Sequence, residues 1–338
     1  MKSSFGPVRV ALLMFAVMLA AGALLVRAEG DRPSPADSVV PAAPPARATS
    51  SEIVDPYGTA LAPVRIAPQF KRAPRAGLLF NLRTGRVMWR RNPARRLPIA
   101  SLAKVMTAIL AVDRSTPGEH VLITPEARAT DGSKVGLLPP GRRVRLELLL
   151  YGLMLPSGND AAVALAQHVS GSVPRFVAEM NAEARRMGLT CTHFSSPDGL
   201  RDRGNTACAR DLAVLAREVL ARRRLARIVR TEQVALPSLL PHTIKRGKRK
   251  LTVWRPGRLW LNSHNPLLRA GYRGTTGIKT GYTDPAGRCL VATVRRGQTT
   301  LGLVLLHSPD PGGQAMRIFN RAFRVIRLQA TATARAST

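Results

Sequence analysis

Strand-like sequence stands at both ends of the foldable part of this chain, with a long helical block between, and few architectures allow that order. Near Arg75, "AGLLFNLRTGRVMWRRN" reads as two strands joined by a short glycine-containing turn. Beyond Thr231, "GIKTGYT", "RCLVATVRR" and "TTLGLVLLHS" are short β-rich runs parted by the turn signals "DPAG" and "GQ". They predict a three-stranded antiparallel meander. Both groups of strands need a partner face to bury, so the pattern predicts one sheet assembled from both ends of the chain. Helices would cover its faces, which makes the fold α+β.

The helices are read from 3.6-residue spacing. "SLAKVMTAILAVDR" puts Leu102, Val105, Met106, Ile109 and Val112 at helical intervals, as a mostly buried helix does. "RLELLLYGLML" and "NDAAVALAQHV" predict two more, parted by "PSG"; "VPRFVAEMNAEARRMG" is amphipathic and ends at Gly188. "CARDLAVLAREVLARRRLARIVR" reads as a further helical stretch with a basic outer face. "GGQAMRIFNRAFRVIRL" closes the fold, with Met316, Phe319, Phe323 and Ile326 on one face. The folded domain is therefore expected over 66–328, with a disordered tail over 329–338.

The N-terminus carries an address. Lys2 and Arg9 precede an apolar run from Val10 to Val26, and Val26-Arg27-Ala28 offers small residues for cleavage. Residues 1–28 read as a signal peptide, with an uncleaved anchor as the competing reading; either way the rest is expected outside the cytoplasmic membrane. Residues 29–65, rich in Pro, Ala and Ser, read as a linker. The chain carries 52 Lys and Arg against 20 Asp and Glu, a formal charge of +32. That field favours an anionic wall polymer or lipid surface as partner, or is a solvated basic surface with none. Nucleic acid is a poor fit, because no base-stacking aromatic motif occurs. The run "KRGKRKLTVWRPGR" (245–258) reads as a solvated hairpin, with contact to wall polymer as the alternative.

Chemistry enters with "SLAK". Only 8 of the 52 basic residues are lysine, yet Lys104 falls three residues after Ser101. If Ser101 opens the helix, the two share a face. A serine hydroxyl needs a base. Lysine can be that base when burial lowers its pKa, whereas arginine keeps its proton. One S-x-x-K match is weak on its own. "LMLPSGNDAA" adds Ser157 and Asn159 in a turn between apolar helices, where a hydroxyl relays a proton and an amide holds a substrate, or where both simply cap a helix. "TTGIKTGYT" adds Lys279, Thr280 and Gly281 on a strand: an ammonium and a hydroxyl to grip a carboxylate, and a glycine to admit a backbone.

In this order the three motifs, together with "GLLPPGRRVRLELLLYGLMLPSGNDAAVALAQHVSGS", "FVAEMNAEARRMGLTCTHFSSPDGL" and "GIKTGYTDPAGRCLVATVRR", resemble the serine-type D-alanyl-D-alanine carboxypeptidases, the low-molecular-mass penicillin-binding proteins. The resemblance spans roughly residues 75–328. It implies a β-lactamase/transpeptidase-like fold, with a five-stranded antiparallel sheet flanked by helices and an all-helical subdomain. It implies Ser101 as nucleophile, Lys104 as general base, Ser157 in proton relay and Asn159 on the substrate peptide. Lys279 and Thr280 would bind the terminal carboxylate, and the N–H groups of Ser101 and Tyr282, the residue after Gly281, would form the oxyanion hole. The implied substrate is the D-Ala-D-Ala end of a peptidoglycan stem, β-lactams are implied inhibitors, and no metal or cofactor is implied.

Three cysteines remain. Cys191 and Cys208 stand 17 positions apart around a turn-rich stretch, and closing it would stabilise the fold by roughly 3 kcal/mol. Cys208 stands where the family more often has Thr or Ser, which favours the pairing; a coincidental buried thiol is the alternative. Cys289 reads as a buried free thiol. Rival functions are a β-lactamase, which needs a second base where the loop offers Asp198 and Asp202 but no Glu, a DD-endopeptidase using the same residues, and a non-catalytic wall-binding protein. The histidines form no metal or triad motif; His193 and His264 read as structural.

Overall fold

The computed structural model describes residues 65–200 and 204–336; the expected signal peptide, the linker up to residue 64 and Asp202 lie outside them. In chain order the first half forms β1 (Ala76–Asn81), β2 (Val87–Arg91), β3 (Leu97–Pro98), a 3-10 turn over Ala100–Ala103, α1 (Lys104–Asp113), β4 (His120–Leu122), α2 (Pro125–Ala129), β5 (Arg143–Arg145), α3 (Leu146–Met154), α4 (Asn159–Ser170) and α5 (Val173–Arg186). The second half forms β6 (Thr206–Ala207), α6 (Ala209–Ala221), α7 (Arg223–Val229), β7 (Gln233–Arg246), β8 (Arg249–Asn262), α8 (Pro266–Arg269), β9 (Thr275–Thr283), β10 (Gly287–Arg296), β11 (Thr299–Ser308) and α9 (Pro311–Ala336).

The two ends of the chain meet in one antiparallel five-stranded sheet of order β2-β1-β11-β10-β9. β11 is the seam: it pairs with β1 from Ala76↔Leu306 to Asn81↔Leu301, and with β10 on its other side. Its near-continuous apolar run is explained by burial on both faces. Val304 and Leu306 join Leu78 and Phe80 in the core shared with the helical block, while Leu301, Leu303 and Leu305 join Leu79 under α9. The two-residue period of a strand divides the side chains between the cores. α1 runs through the first core, with Lys104 to Ala111 all buried. β9 is an edge strand.

Three expectations change. The helical stretch after Cys208 is two helices, because Arg222 leaves helical geometry at ψ 105°; its guanidinium is held 2.7 Å from both Asp113 and Glu218. The tail expected to be disordered from 329 is helical to Ala336. No Gly or Pro follows Gly313 to stop α9, and Ala, Gln and Arg propagate helix well. The basic run 245–258 lies in a hairpin, as read, but that hairpin extends well beyond it, with one strand from Gln233 to Arg246 and the other from Arg249 to Asn262.

Candidate active site

Ser101 lies in the 3-10 turn that leads into α1. β3 pairs with β6, and Ile99 N–H donates to Asn205 O at 3.1 Å, so the segment entering the turn is fixed. Ala100 then takes φ +48°, left-handed geometry costing about 1–3 kcal/mol for a residue with a Cβ. In a 3-10 turn positions i and i+3 eclipse. Lys104 accordingly sits over Ser101, with Nζ donating to Oγ at 2.9 Å.

Lys104 is fully buried. Besides Ser101 it donates to Asn159 Oδ1 at 2.7 Å and to the backbone O of Asp198 at 2.6 Å. Burial pushes its pKa down to about 8, against the attraction of Asp198 and Asp160. A lysine that releases its proton near neutral pH is fit to act as a base.

The α3–α4 turn supplies the second motif. Neither Ser157 nor Asn159 caps α4 with its side chain, so the helix-cap reading of the pair does not hold. Asn159 spans the site: Oδ1 receives Lys104, and Nδ2 donates to Asp131 O at 2.6 Å. Asp160 steadies the turn by accepting from the N–H groups of Val135 and Gly136, each at 2.9 Å. Ser157 takes φ +67°, and its buried Oγ has no hydrogen-bond partner among the described residues. Such an orphan is costly and marks a place where a ligand group can dock.

The third motif lies on β9. Lys279 is buried, donates to Thr280 O at 2.9 Å, and is held well below the usual lysine range by burial and then by repulsion from Lys104. That repulsion ties the first and third motifs together electrostatically; Gly281 ties them sterically. A Cβ on Gly281 would stand 2.9 Å from Ile99 O and 3.1 Å from Ser101 N. The backbone this glycine admits is the protein's own serine turn, a reason for it that the sequence did not show. Thr280 is half-buried beside it. The Tyr282 side chain is 63% exposed and donates to Asp284 Oδ1 at 2.8 Å, so it is turned to solvent.

A fourth part was read only as a disulfide clip, and its contact with the serine turn was missed. Cys191 and Cys208 are disulfide-bonded across a separation of 17, and the loop between them lies against the serine turn. Pro197 O accepts from Thr107 Oγ1 at 2.6 Å, and Asp198 O accepts from Lys104. Gly199, at φ +79°, comes so near Ala100 that a Cβ would stand 1.9 Å from its O. Asp198, weighed above as a second base, has its carboxylate engaged by Ser196 Oγ (2.6 Å) and Leu200 N (2.9 Å); its carbonyl is what reaches the site. Asp211 anchors the loop's start by accepting from Cys191 N and Thr192 Oγ1, both at 2.8 Å. The signal was present in "CTHFSSPDGL", whose turn residues lie within the cysteine bracket. His193 bonds Gly204 O through Nδ1 (2.7 Å), and His264 N donates to Leu155 O (3.0 Å); neither meets Ser101.

A serine turn backed by a buried lysine stands beside the edge strand of an antiparallel sheet covered by helices. Residues 65–310 match the family model of the D-alanyl-D-alanine carboxypeptidases, peptidase family S11, and the chain belongs to that family. It is 31% identical over 257 residues to the D-alanyl-D-alanine carboxypeptidase DacF of Bacillus subtilis, covering 74% of this chain and 62% of that protein. It is 32% identical over 263 residues to the D-alanyl-D-alanine carboxypeptidase of Streptomyces sp. strain K15, covering 73% and 86%. The crystal structure of the Streptomyces K15 DD-transpeptidase superposes with a TM-score of 0.68 at 30% identity, covering 76% of this chain and 100% of that one. The chain spans about six-tenths of the length of DacF.

Proposed function

We propose that this protein removes the terminal D-Ala from peptidoglycan pentapeptide stems through a serine acyl-enzyme, and that β-lactams acylate the same serine. The observation that carries this is the buried Lys104, 2.9 Å from Ser101 Oγ, with its pKa lowered to about 8. Lys104 takes the Ser101 proton as Oγ attacks the carbonyl carbon of the penultimate D-Ala. The N–H groups of Ser101 and Tyr282 hold the oxyanion, a contribution of about 2.7–4 kcal/mol per donor. Asn159 bonds the peptide, and Lys279 with Thr280 receives the terminal carboxylate. The unpartnered Ser157 hydroxyl gives its proton to the departing D-Ala nitrogen and takes one from Lys104 in return, which leaves Lys104 neutral again. Water then hydrolyses the Ser101 ester, with Lys104 again as base.

The setting is extracytoplasmic, where this substrate lies. The +32 charge supports an anionic partner there, wall polymer or lipid surface. Intact-mass measurement after penicillin treatment tests the reading: one adduct on the parent, none on Ser101→Ala, and release of D-Ala from a D-Ala-D-Ala-terminated peptide. A parent never acylated would make it a wall-binding protein without catalysis. Rapid β-lactam hydrolysis without D-Ala release would make it a β-lactamase.

A further inference from the structure

The β7–β8 hairpin carries charge of one sign only. From Gln233 to Thr283 there is no Asp or Glu, while Lys245, Arg246, Lys248, Arg249 and Lys250 crowd the tip and Arg255 and Arg258 follow. The register sets Lys245 opposite Lys250 and Arg246 opposite Arg249. Like charges facing each other across a ladder destabilise it. A hairpin that needed only solubility would gain by alternating signs, so the repulsion asks for an anion. All five tip cations are exposed.

The two faces of the ribbon differ. Leu236, Leu240, Leu259 and Leu261 lie on the face packed against the main core. By strand alternation the other face carries Lys245 and Lys250 at the tip, then Trp254, then Arg258 and Trp260 toward the base. Trp260 is 61% exposed, and beside it Arg258 Nη2 donates to Ala235 O at 2.7 Å. Two of the three tryptophans of the chain thus stand on one face among cations. Indole rings offer flat apolar surfaces to the C–H faces of sugars, and the cations attract carboxylates.

Direction matters as much as composition. Each strand is 14 residues long, a ribbon of roughly 45 Å at about 3.3 Å per residue. At its base Ser263 N–H donates to Glu232 O (2.7 Å), and the next residue, His264, is tied to Leu155 beside the Ser157 turn (3.0 Å). The track therefore ends at the site. A bilayer meeting the tip end-on would leave Trp260, at the opposite end, untouched; a linear anionic polymer engages both ends. We infer that the outer face of the β7–β8 hairpin docks the polymeric substrate, a wall glycan whose peptide stems end in carboxylates, and feeds those stems to Ser101. This rests on the carboxypeptidase reading and adds a second contact region to it.

The test compares a soluble D-Ala-D-Ala-terminated tripeptide with isolated sacculi, using the full chain, a variant with all five tip cations changed to Ser, and Trp260→Ala. Peptide turnover and penicillin labelling should stay within about twofold of the parent, as expected for exposed charges away from the serine. D-Ala release from sub-saturating sacculi should fall about tenfold for the tip variant and lose its sensitivity to about 0.5 M NaCl. Trp260→Ala should lower sacculus turnover and leave the salt response in place. Parental sacculus turnover by both variants overturns the inference. So does loss of cosedimentation with phosphatidylglycerol vesicles alongside unchanged sacculus turnover, which would make the hairpin a lipid contact. Should the parent fail on the tripeptide, the carboxypeptidase reading fails; sacculus cosedimentation of Ser101→Ala with and without the tip cations still decides the docking surface.

Discussion

Lys104 Nζ donates to the backbone O of Asp198 at 2.6 Å, closer than its 2.7 Å to Asn159 Oδ1 or its 2.9 Å to Ser101 Oγ. The carbonyl and the amide oxygen can only accept, whereas the hydroxyl can also donate. Three acceptors satisfy an ammonium. When Lys104 is neutral, its two remaining N–H groups stay with the two obligate acceptors, and its lone pair is left facing Ser101. The loop carbonyl thus turns that lone pair toward Ser101.

The rate of acylation should follow that deprotonation. Because the Lys104 pKa is lowered to about 8 by burial, the neutral form grows as pH rises. Below about 8 the second-order rate with penicillin should climb roughly tenfold per pH unit, and above it flatten. Stopped-flow labelling from pH 5 to 10 measures this; a flat profile would remove Lys104 from the role of base.

Lys104→Arg keeps the charge and removes the exchangeable proton. Labelling should drop by about 10²–10⁴-fold, and the rise through about 8 should vanish. Circular dichroism checks that the larger head, in a fully buried position, has been accommodated. A surviving rise would mean that another group titrates.

Lys279 makes the opposite demand. It must be charged to hold a carboxylate, yet burial and Lys104 keep its pKa well below the usual lysine range in the empty site. An entering carboxylate favours the ammonium, so binding should take up protons and weaken as pH rises through the free-site value. Calorimetry in buffers of differing ionisation enthalpy reads the uptake. A peptide whose terminal carboxylate is amidated should show none.

The loop that aims Lys104 depends on its clip. Cys208→Ser should cost roughly 3 kcal/mol of stability in the loop-entropy model. It should also slow acylation of the folded fraction, because Pro197 and Asp198 reach α1 from within the loop. Thermal melts beside burst-phase labelling separate the effects. Unchanged acylation per folded molecule would reduce the disulfide to a staple.

The individual strands, the helical block and the three motifs were legible because each depends on local spacing. Ser101 and Lys104 are three apart, and Lys279 to Gly281 are contiguous. The Asp198 carbonyl was not legible, since a backbone oxygen leaves no mark on residue identity and its partner is 94 positions away. The hairpin was seen only over 245–258, because Pro237 and Pro241 disfavour a strand while Leu259 and Leu261 need the distant core to show which face is inward. The end of α9 was misjudged for the opposite reason: its last turns lack apolar periodicity, yet nothing in them stops a helix already begun.

Gly281→Ala isolates the contact between the edge strand and the serine turn. Gly281 is outside the positive-φ residues, so its backbone tolerates a side chain and the obstacle is space alone. The added methyl would meet Ile99 O at 2.9 Å, Ser101 N at 3.1 Å and Ala100 Cβ at 3.3 Å, two of them backbone atoms with no rotamer to change. One partner must move. The serine turn is fixed by the β3–β6 pair and by Ile99 N–H on Asn205 O, whereas β9 is paired only to β10. The strand should therefore yield by a few tenths of an ångström, carrying Tyr282 N–H and Lys279 away from Ser101. Stability should change by less than about 1 kcal/mol, while acylation falls about 10–10²-fold through misplaced donors. Melting temperature and labelling rate on one preparation decide it: a lowered melting point with a normal rate per folded molecule would make Gly281 a packing residue.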